Sequence, residues 1–342
     1  MIQNKRIGFA CKFLDDETQI SGVKPTDSCK KYNTSTTTVA WLNRQHPDVA
    51  TQKLWDLMKL NIESIRLLVE KVGSLDDHLR MVRLGSDLLP VYTEPTWQWF
   101  WQQSDVKRYA ATAFGAVGEL ARKNNVKLSM HPGQFCCIVS DNDDIVTRSI
   151  SELEYHADVA RYMGFGQQKL DFKINVHLSG RRGVDGFDNA WEQMSPELQN
   201  CLTLENDEYQ MGLADLLFLK NKVGIVLDIH HHLIKDQEYI MPNDWRIQHV
   251  IDSWGGRRPT IHYSQSKSEF INQFSDRIPT MVEMLSVANK TKLRAHGVFY
   301  DNKHVNQWAL GFLEVADIMC ESKAKNLASF ALAKQAQELN YI

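Results

Sequence analysis

Six short apolar runs in this chain each lead into a histidine or a carboxylate, at His131, His177, Glu205, Asp228, His262 and Glu321. Imidazole nitrogens mixed with carboxylate oxygens suit zinc, manganese or iron, and the set is too large for one closed structural zinc. A site of two or three such ions activates water at neutral pH and stabilises both the attacking and the leaving oxygen of a phosphodiester. Hydrolytic or phosphoryl-cleaving chemistry is therefore the expectation. No G-x-S-x-G elbow, Walker loop or G-x-G-x-x-G fingerprint offers a competing one.

Each motif also has a plainer explanation. In Ser129-Met130-His131-Pro132-Gly133-Gln134-Phe135 the histidine emerges at a strand end, Gly133 permits a tight turn, and Gln134 and Phe135 are displayed on a loop above the site. A lone histidine is more often structural than a ligand, but Asn175-Val176-His177-Leu178-Ser179-Gly180 repeats the arrangement, and the repetition strengthens both. In Leu204-Glu205-Asn206-Asp207-Glu208, Asp207 and Glu208 read equally well as a solvated acidic turn, whereas Glu205 faces the place where strands end. The run Asp228-Ile229-His230-His231-His232 is hard to explain as core packing, although at most two of its histidines can face one centre. Pairing Asp228 with His231 sets two ligands across a single turn.

Elements must position these residues, and apolar periodicity supplies them. Strands are expected at Arg6–Cys11, Arg80–Leu84, Lys127–Met130, Asp171–Val176, Cys201–Leu204, Val223–Leu227, Pro259–Ile261 and Val315–Cys320. Helical patterns at Leu54–Val72, Val106–Asn124, Ile145–Met163, Met211–Asn221 and Asn302–Phe312 lie between them. The stripe Leu54, Leu57, Met58, Ile62, Ile65 and Leu68 reads as a helix face packed on a sheet. Strand and helix alternating eight times predict an α/β fold, a single TIM-type (β/α)8 barrel with the metal site at the C-terminal ends of the strands. The expected domain is residues 1–342, with a core over roughly 6–325 and a C-terminal helix at 323–340. Ser21–Thr38 and Gln265–Ile278 read as long polar excursions.

Composition agrees with such a domain. The 342 residues are 43% hydrophobic and 24% charged, ordinary for a folded chain and unlike a disordered or fibrous one. The stretch Met1–Leu14 is too short to be a signal-peptide core, and no run of about 18 apolar residues is present, so a soluble cytoplasmic protein without a membrane partner is expected. Cys11, Cys29, Cys136, Cys137, Cys201 and Cys320 form no C-x-x-C pair, which argues against disulfides and structural zinc. A net charge of −3 disfavours a generally basic surface, yet a carboxylate site filled with cations has a different local sign.

Taken in order, the blocks Val82-Arg83-Leu84-Gly85 to Leu88-Leu89-Pro90, His131-Pro132-Gly133-Gln134-Phe135, His177-Leu178-Ser179-Gly180, Leu204-Glu205-Asn206-Asp207-Glu208, Asp228-Ile229-His230-His231-His232, Ile261-His262 and Glu321 resemble the UV damage endonuclease family. The resemblance spans roughly residues 6 to 325. It implies a β/α barrel that nicks damaged double-stranded DNA on the 5′ side of the lesion, at UV photoproducts and abasic sites, as a monomer. It further implies two or three divalent ions per chain, manganese first with zinc or magnesium as alternatives. Family ligands fall on His131, His177, Glu205, Asp228, His231, His262, His296 and Glu321, with catalytic roles for Glu205, Asp228, His231 and Glu321. Gln134 and Phe135 match the dipeptide that probes the duplex while the damaged nucleotides leave the stack.

Several positions depart from the family pattern. The histidine ligand that follows the second strand is Asp87 here, still a possible ligand of different charge. The modified lysine two residues before the seventh-strand histidine is Thr260, so no carbamylated-lysine bridge forms at that position. The probing tyrosine is Phe135, and Gly8-Phe9-Ala10-Cys11-Lys12 stands where a tyrosine and a proline are usual. Arg181, Arg182, Arg257, Arg258 and Lys303, next to strand ends, are candidates for contact with the DNA backbone, although loop cations are usually just solvated. Trp97, Trp99 and Trp101 read as packing residues. Two alternative functions are a sugar isomerase or epimerase on the same barrel and a lesion-binding protein with an impaired metal site.

Overall fold

The apolar runs become eight parallel strands, β1 (Ile7–Ala10), β2 (Met81–Leu84), β3 (Lys127–Met130), β4 (Lys173–His177), β5 (Leu202–Glu205), β6 (Gly224–Val226), β7 (Thr260–Tyr263) and β8 (Asp317–Cys320), in a computed structural model describing residues 4–17, 20 and 27–342. Their order across the sheet is β6-β5-β4-β3-β2-β1-β8-β7. The seam between β6 and β7 is bridged by Asp228 pairing with His262, whose amide donates to the Leu227 carbonyl at 2.9 Å. The sheet thus curls into a nearly closed (β/α)8 barrel. Strand positions match the apolar runs to within two residues at most ends, and β7 continues past Ile261, so that His262 lies within the ladder.

Helices coat the outside: α1 (Pro47–Gly73), α2 (Ser104–Lys123), α3 (Asp143–Tyr162), α4 (Ile229–Asp236), α5 (Trp245–Ser253), α6 (Lys303–Leu310) and α7 (Lys325–Glu338). Helix α1 starts where Pro47 presets the first helical φ, and its stripe from Leu54 to Leu68 is buried as the periodicity predicts. The helix expected over Met211–Asn221 is broken into a turn at Leu213–Leu216 and a 3-10 turn at Leu217–Leu219. The reason is local: the Asp207 carboxylate captures the amides of Tyr209 and Gln210, folding residues 207–211 back and leaving little chain before β6. The excursion after β7 is also longer than Gln265–Ile278 and runs on to α6. Of the loop expected at Ser21–Thr38, residues 21–26 lie outside the described residues, as do residues 1–3 of Met1–Leu14.

The main apolar core fills the layer between strands and helices. Inside the barrel a small apolar cluster, Ala10, Met81 and Met319, lies between two polar ends. At the floor, where strands begin, fully buried Asp317 accepts from Lys127 Nζ at 2.8 Å, Arg258 Nε at 2.9 Å and the Arg6 amide at 3.0 Å. Parallel strands alternate their side chains between inside and outside, so Lys173, Asn175 and His177 all point inward from β4 toward the mouth. Among the described residues no helix is long and apolar enough to cross a membrane.

Candidate metal centre

Strand ends deliver the ligand-type residues to one place. His177 and Glu205 are partners in the β4–β5 ladder, Asp228 and His262 bridge β6 to β7, and His131 and Glu321 directly follow β3 and β8. The ligand atoms form two groups, His131, His177 and Glu205, and Glu205, Asp228, His262 and Glu321, each within 4.8 Å of one another. Glu205 belongs to both. Its Oε2 is 3.2 Å from His131 Nε2, its Oε1 is 3.0 Å from His262 Nδ1, and that same Nδ1 is 3.1 Å from Glu321 Oε1.

Local bonds leave the facing atoms free for a cation. His131 Nδ1 lies 2.8 Å from the Pro132 carbonyl and must donate to it, which fixes the lone pair on Nε2 toward Glu205. His231 Nδ1 meets the Asn206 carbonyl at 3.1 Å in the same way. Asp228 Oδ1 caps α4 by accepting from the amides of His230 and His231 at 2.8 and 2.7 Å, so the cap that starts the helix also aims His231. Asp228 Oδ2, Glu205 Oε1, His177 Nδ1 and His262 Nδ1 are buried without hydrogen-bond partners. Orphaned buried polar atoms are costly, and four of them converging on a mixed imidazole and carboxylate cluster fit divalent metal ions.

Electrostatics points the same way. Burial pushes the His131 pKa down to about 4, against the pull of the Glu205 carboxylate, so its imidazole is neutral at pH 7. Burial works to raise the Glu205 pKa but is outweighed by the surrounding His262, His177 and His131, which hold the carboxyl well below its usual range. Burial raises the Asp228 pKa. His231 is the exception among the imidazoles: burial works against its proton, but Asp228, Glu205 and Glu208 raise its pKa to about 9.

The remaining candidates distribute unevenly. Asp87 is exposed on the turn after β2, where its carbonyl accepts from Asn61, and it belongs to neither group. The residue that β2 sends inward is Arg83, ion-paired with Glu321. His296 also lies outside both groups, with its ring 6.1 Å from that of His231, on the excursion that pairs Ser266 with His296. His230 and His232 are held elsewhere, by the Leu293 carbonyl and by Asp236 and Glu238. Glu208 is no solvated turn residue, since it pairs with Arg294 at 2.6 Å and stands 3.7 Å from His231 Nε2.

On the rim, Gln134 and Phe135 are both exposed, Phe135 at 68% of its surface. A Cβ at Gly133 would sit 2.3 Å from the Phe135 ring, so the glycine makes room for that ring. Arg181 and Arg182 are on the same rim, paired with Asp141 and Asp143. Arg257 and Arg258 are not: they precede β7, at the opposite end, where Arg257 donates to the Lys169 carbonyl and Arg258 joins the floor cluster around Asp317. Proximity to a strand in sequence does not distinguish its two ends, and these arginines lie at the entry. Lys303 opens α6, its carbonyl accepting from Gln335. Trp97 and Trp101 are buried as expected, and Trp99 is 49% exposed.

Three supporting residues escaped sequence reasoning. Asn175 donates to Glu205 Oε2 and accepts from Thr203 at 2.8 Å, fixing the shared carboxylate. Lys173 Nζ is 2.8 Å from His262 Nε2, and burial lowers its pKa to about 7. Asn206 exchanges hydrogen bonds with the Asp228 backbone at 2.8 and 3.0 Å. The polar alternation Lys173, Asn175, His177 is the signal that marks the first two.

The profile of the family "UV-endonuclease UvdE" matches residues 5–342. The "UV DNA damage endonuclease" of Bacillus anthracis (strain A0248) is 26% identical over 307 residues, covering 85% of this chain and 85% of that protein. The protein of the same name from Bacillus cereus (strain Q1) is 27% identical over 293 residues, covering 81% and 80%. The crystal structure of SacUVDE superposes with a TM-score of 0.74 at 20% identity, over 99% of this chain and 100% of that one, which establishes the shared fold.

Proposed function

The chain belongs to the UV-endonuclease UvdE family, and on that premise we propose that it is a metal-dependent DNA repair endonuclease that nicks the backbone 5′ to UV photoproducts and abasic sites. The observation that carries this reading is the shared carboxylate: Glu205 joins two groups of ligand atoms, and the exposed Gln134-Phe135 turn follows directly on one of their histidines. Bound divalent ions, manganese first, supply water activation at neutral pH and charge stabilisation for both oxygens of an in-line phosphodiester displacement. His131, His177 and Glu205 would hold one ion, and Glu205, Asp228, His262 and Glu321 a second; His231 lies outside both groups, its Nδ1 3.8 Å from Glu205 Oε1 and its Nε2 3.9 Å from Asp228 Oδ2.

The chain's own side chains do the rest. Asn175 keeps the Glu205 carboxylate from turning, and the Pro132 and Asn206 carbonyls fix the tautomers of His131 and His231. Phe135 presents a flat face that stacks in the gap left by extruded nucleotides, while the Gln134 amide pairs with exposed base edges. Arg181 and Arg182 on the rim meet phosphates. The chain acts as one cytoplasmic barrel domain and as a monomer, and light scattering on the purified protein checks the monomeric state.

The test is a nicking assay with Mn²⁺ on duplexes carrying one cyclobutane dimer or one abasic site, comparing wild type with Glu205→Gln. Cleavage 5′ to the lesion by wild type, lost in the variant, is expected. No nick on any lesion, or equal nicking by both proteins, would sink the proposal.

A further inference from the structure

We propose that Arg83 makes the two metal positions unequal, leaving the side formed by His131, His177 and Glu205 tight and the side closed by Glu321 weak. This rests on the metal-centre reading above. Strand β2 buries Val82 and Leu84 in the main core and turns Arg83 the other way, into the barrel. There its guanidinium contacts Glu321 Oε1, the oxygen that also lies 3.1 Å from His262 Nδ1. Both side chains are nearly enclosed, at 13% and 12% exposure, so water screens the pair poorly.

A guanidinium does not give up its proton in a protein, so this positive charge is permanent. It stands against an oxygen that an ion on the Glu321 side would need, and it repels that ion at short range in a medium of low dielectric. Arg83 Nε is buried without a hydrogen-bond partner, and of the groups that stabilise the guanidinium charge Glu321 contributes most, ahead of Cys11. On the same side Lys173 Nζ occupies His262 Nε2, leaving His262 only Nδ1 to face the group. The histidine side is built differently: its shared carboxylate is steadied by the neutral Asn175 amide, the near neighbours of His131 are a carbonyl and Glu205 itself, and Arg83 acts on His131 only through its charge, without the direct contact it makes with Glu321. One barrel mouth thus offers an open position and a position already half-satisfied by an arginine.

Titrating metal-free wild type with Mn²⁺ by calorimetry should resolve two classes of binding. Dialysis of the loaded protein against metal-free buffer, followed by elemental analysis, should leave about one ion per chain. In Arg83→Gln the weak class should tighten by on the order of tenfold or more with the tight class little changed, and Arg83→Lys should keep the wild-type gap. A single class of equal affinity in wild type overturns the proposal while leaving the metal centre intact, and the wild-type arm holds even where circular dichroism shows that Arg83→Gln has not folded. An unchanged gap, or loss of the weak class, in a folded Arg83→Gln also overturns it. No ion bound by either protein overturns both readings.

Discussion

Two residues of the cluster, Glu205 and His231, separate the effects of charge and proton. Glu205 contributes to both ligand groups, so Glu205→Gln should lower Mn²⁺ affinity at both positions by at least about tenfold, measurable by calorimetry. His231 holds a proton that a metal would have to displace if this residue ligates as proposed. An unfolded histidine titrates near about 6.5; with the folded pKa raised to about 9, the proton stabilises the metal-free protein fully below the lower value and the effect fades as pH rises through the upper one. Apparent metal affinity should therefore climb from pH 7 to 9, by up to about tenfold per unit, with proton release seen in buffers of different ionisation heat. A flat profile would remove His231 from the ligand set. His131, Glu205 and Asp228 were legible in the sequence because each follows an apolar run, but Arg83 was not: its partner Glu321 lies 238 positions away, and nothing local to β2 signals the pairing.

At the scale of elements, two close fits hold the loops that shape the mouth. Gly180, after β4, has φ +135°, and a Cβ there would lie 2.3 Å from the Val139 backbone on the neighbouring loop. Gly180→Ala should cost about 2–4 kcal/mol and lower the thermal midpoint, because neither backbone has a side chain that can yield. Fully buried Asn61 on α1 reaches the Ser35 amide and the carbonyls of Ser35, Asp87 and Leu88, tying the loops after β1 and β2 to the helix. Asn61→Ala should destabilise by at least about 2 kcal/mol in denaturant melts, since it strands several buried backbone groups. The strands and the helices α1, α2 and α3 were readable from period alone. The segment at 211–221 was less so: the Asp207 carboxylate, accepting from the Tyr209 and Gln210 amides, turns the chain just before it and delays the helix to Leu213. Asp87 lies outside both ligand groups for a related reason: its carbonyl accepts from the Asn61 side chain, which fixes where that turn goes.

Across the whole molecule, basic residues divide between two faces. Arg181, 87% exposed on the rim, should contribute to the salt dependence of duplex binding, and Arg181→Ala should flatten the slope of log K against log salt by up to about 0.9. Arg257→Ala, on the floor, should leave that slope unchanged. Fluorescence anisotropy on one labelled duplex at several salt concentrations compares them, and equal effects would mean that the DNA does not approach from the strand-end face. The same polarity has a further consequence. The Asp317 cluster anchors the strands at one end, the ligand cluster occupies the other, and Ala10, Met81 and Met319 insulate the two. Chemistry and architecture are thus written into separate halves of the same short strands, so a substitution among the ligand residues at the mouth leaves the contacts that anchor the scaffold at the floor in place.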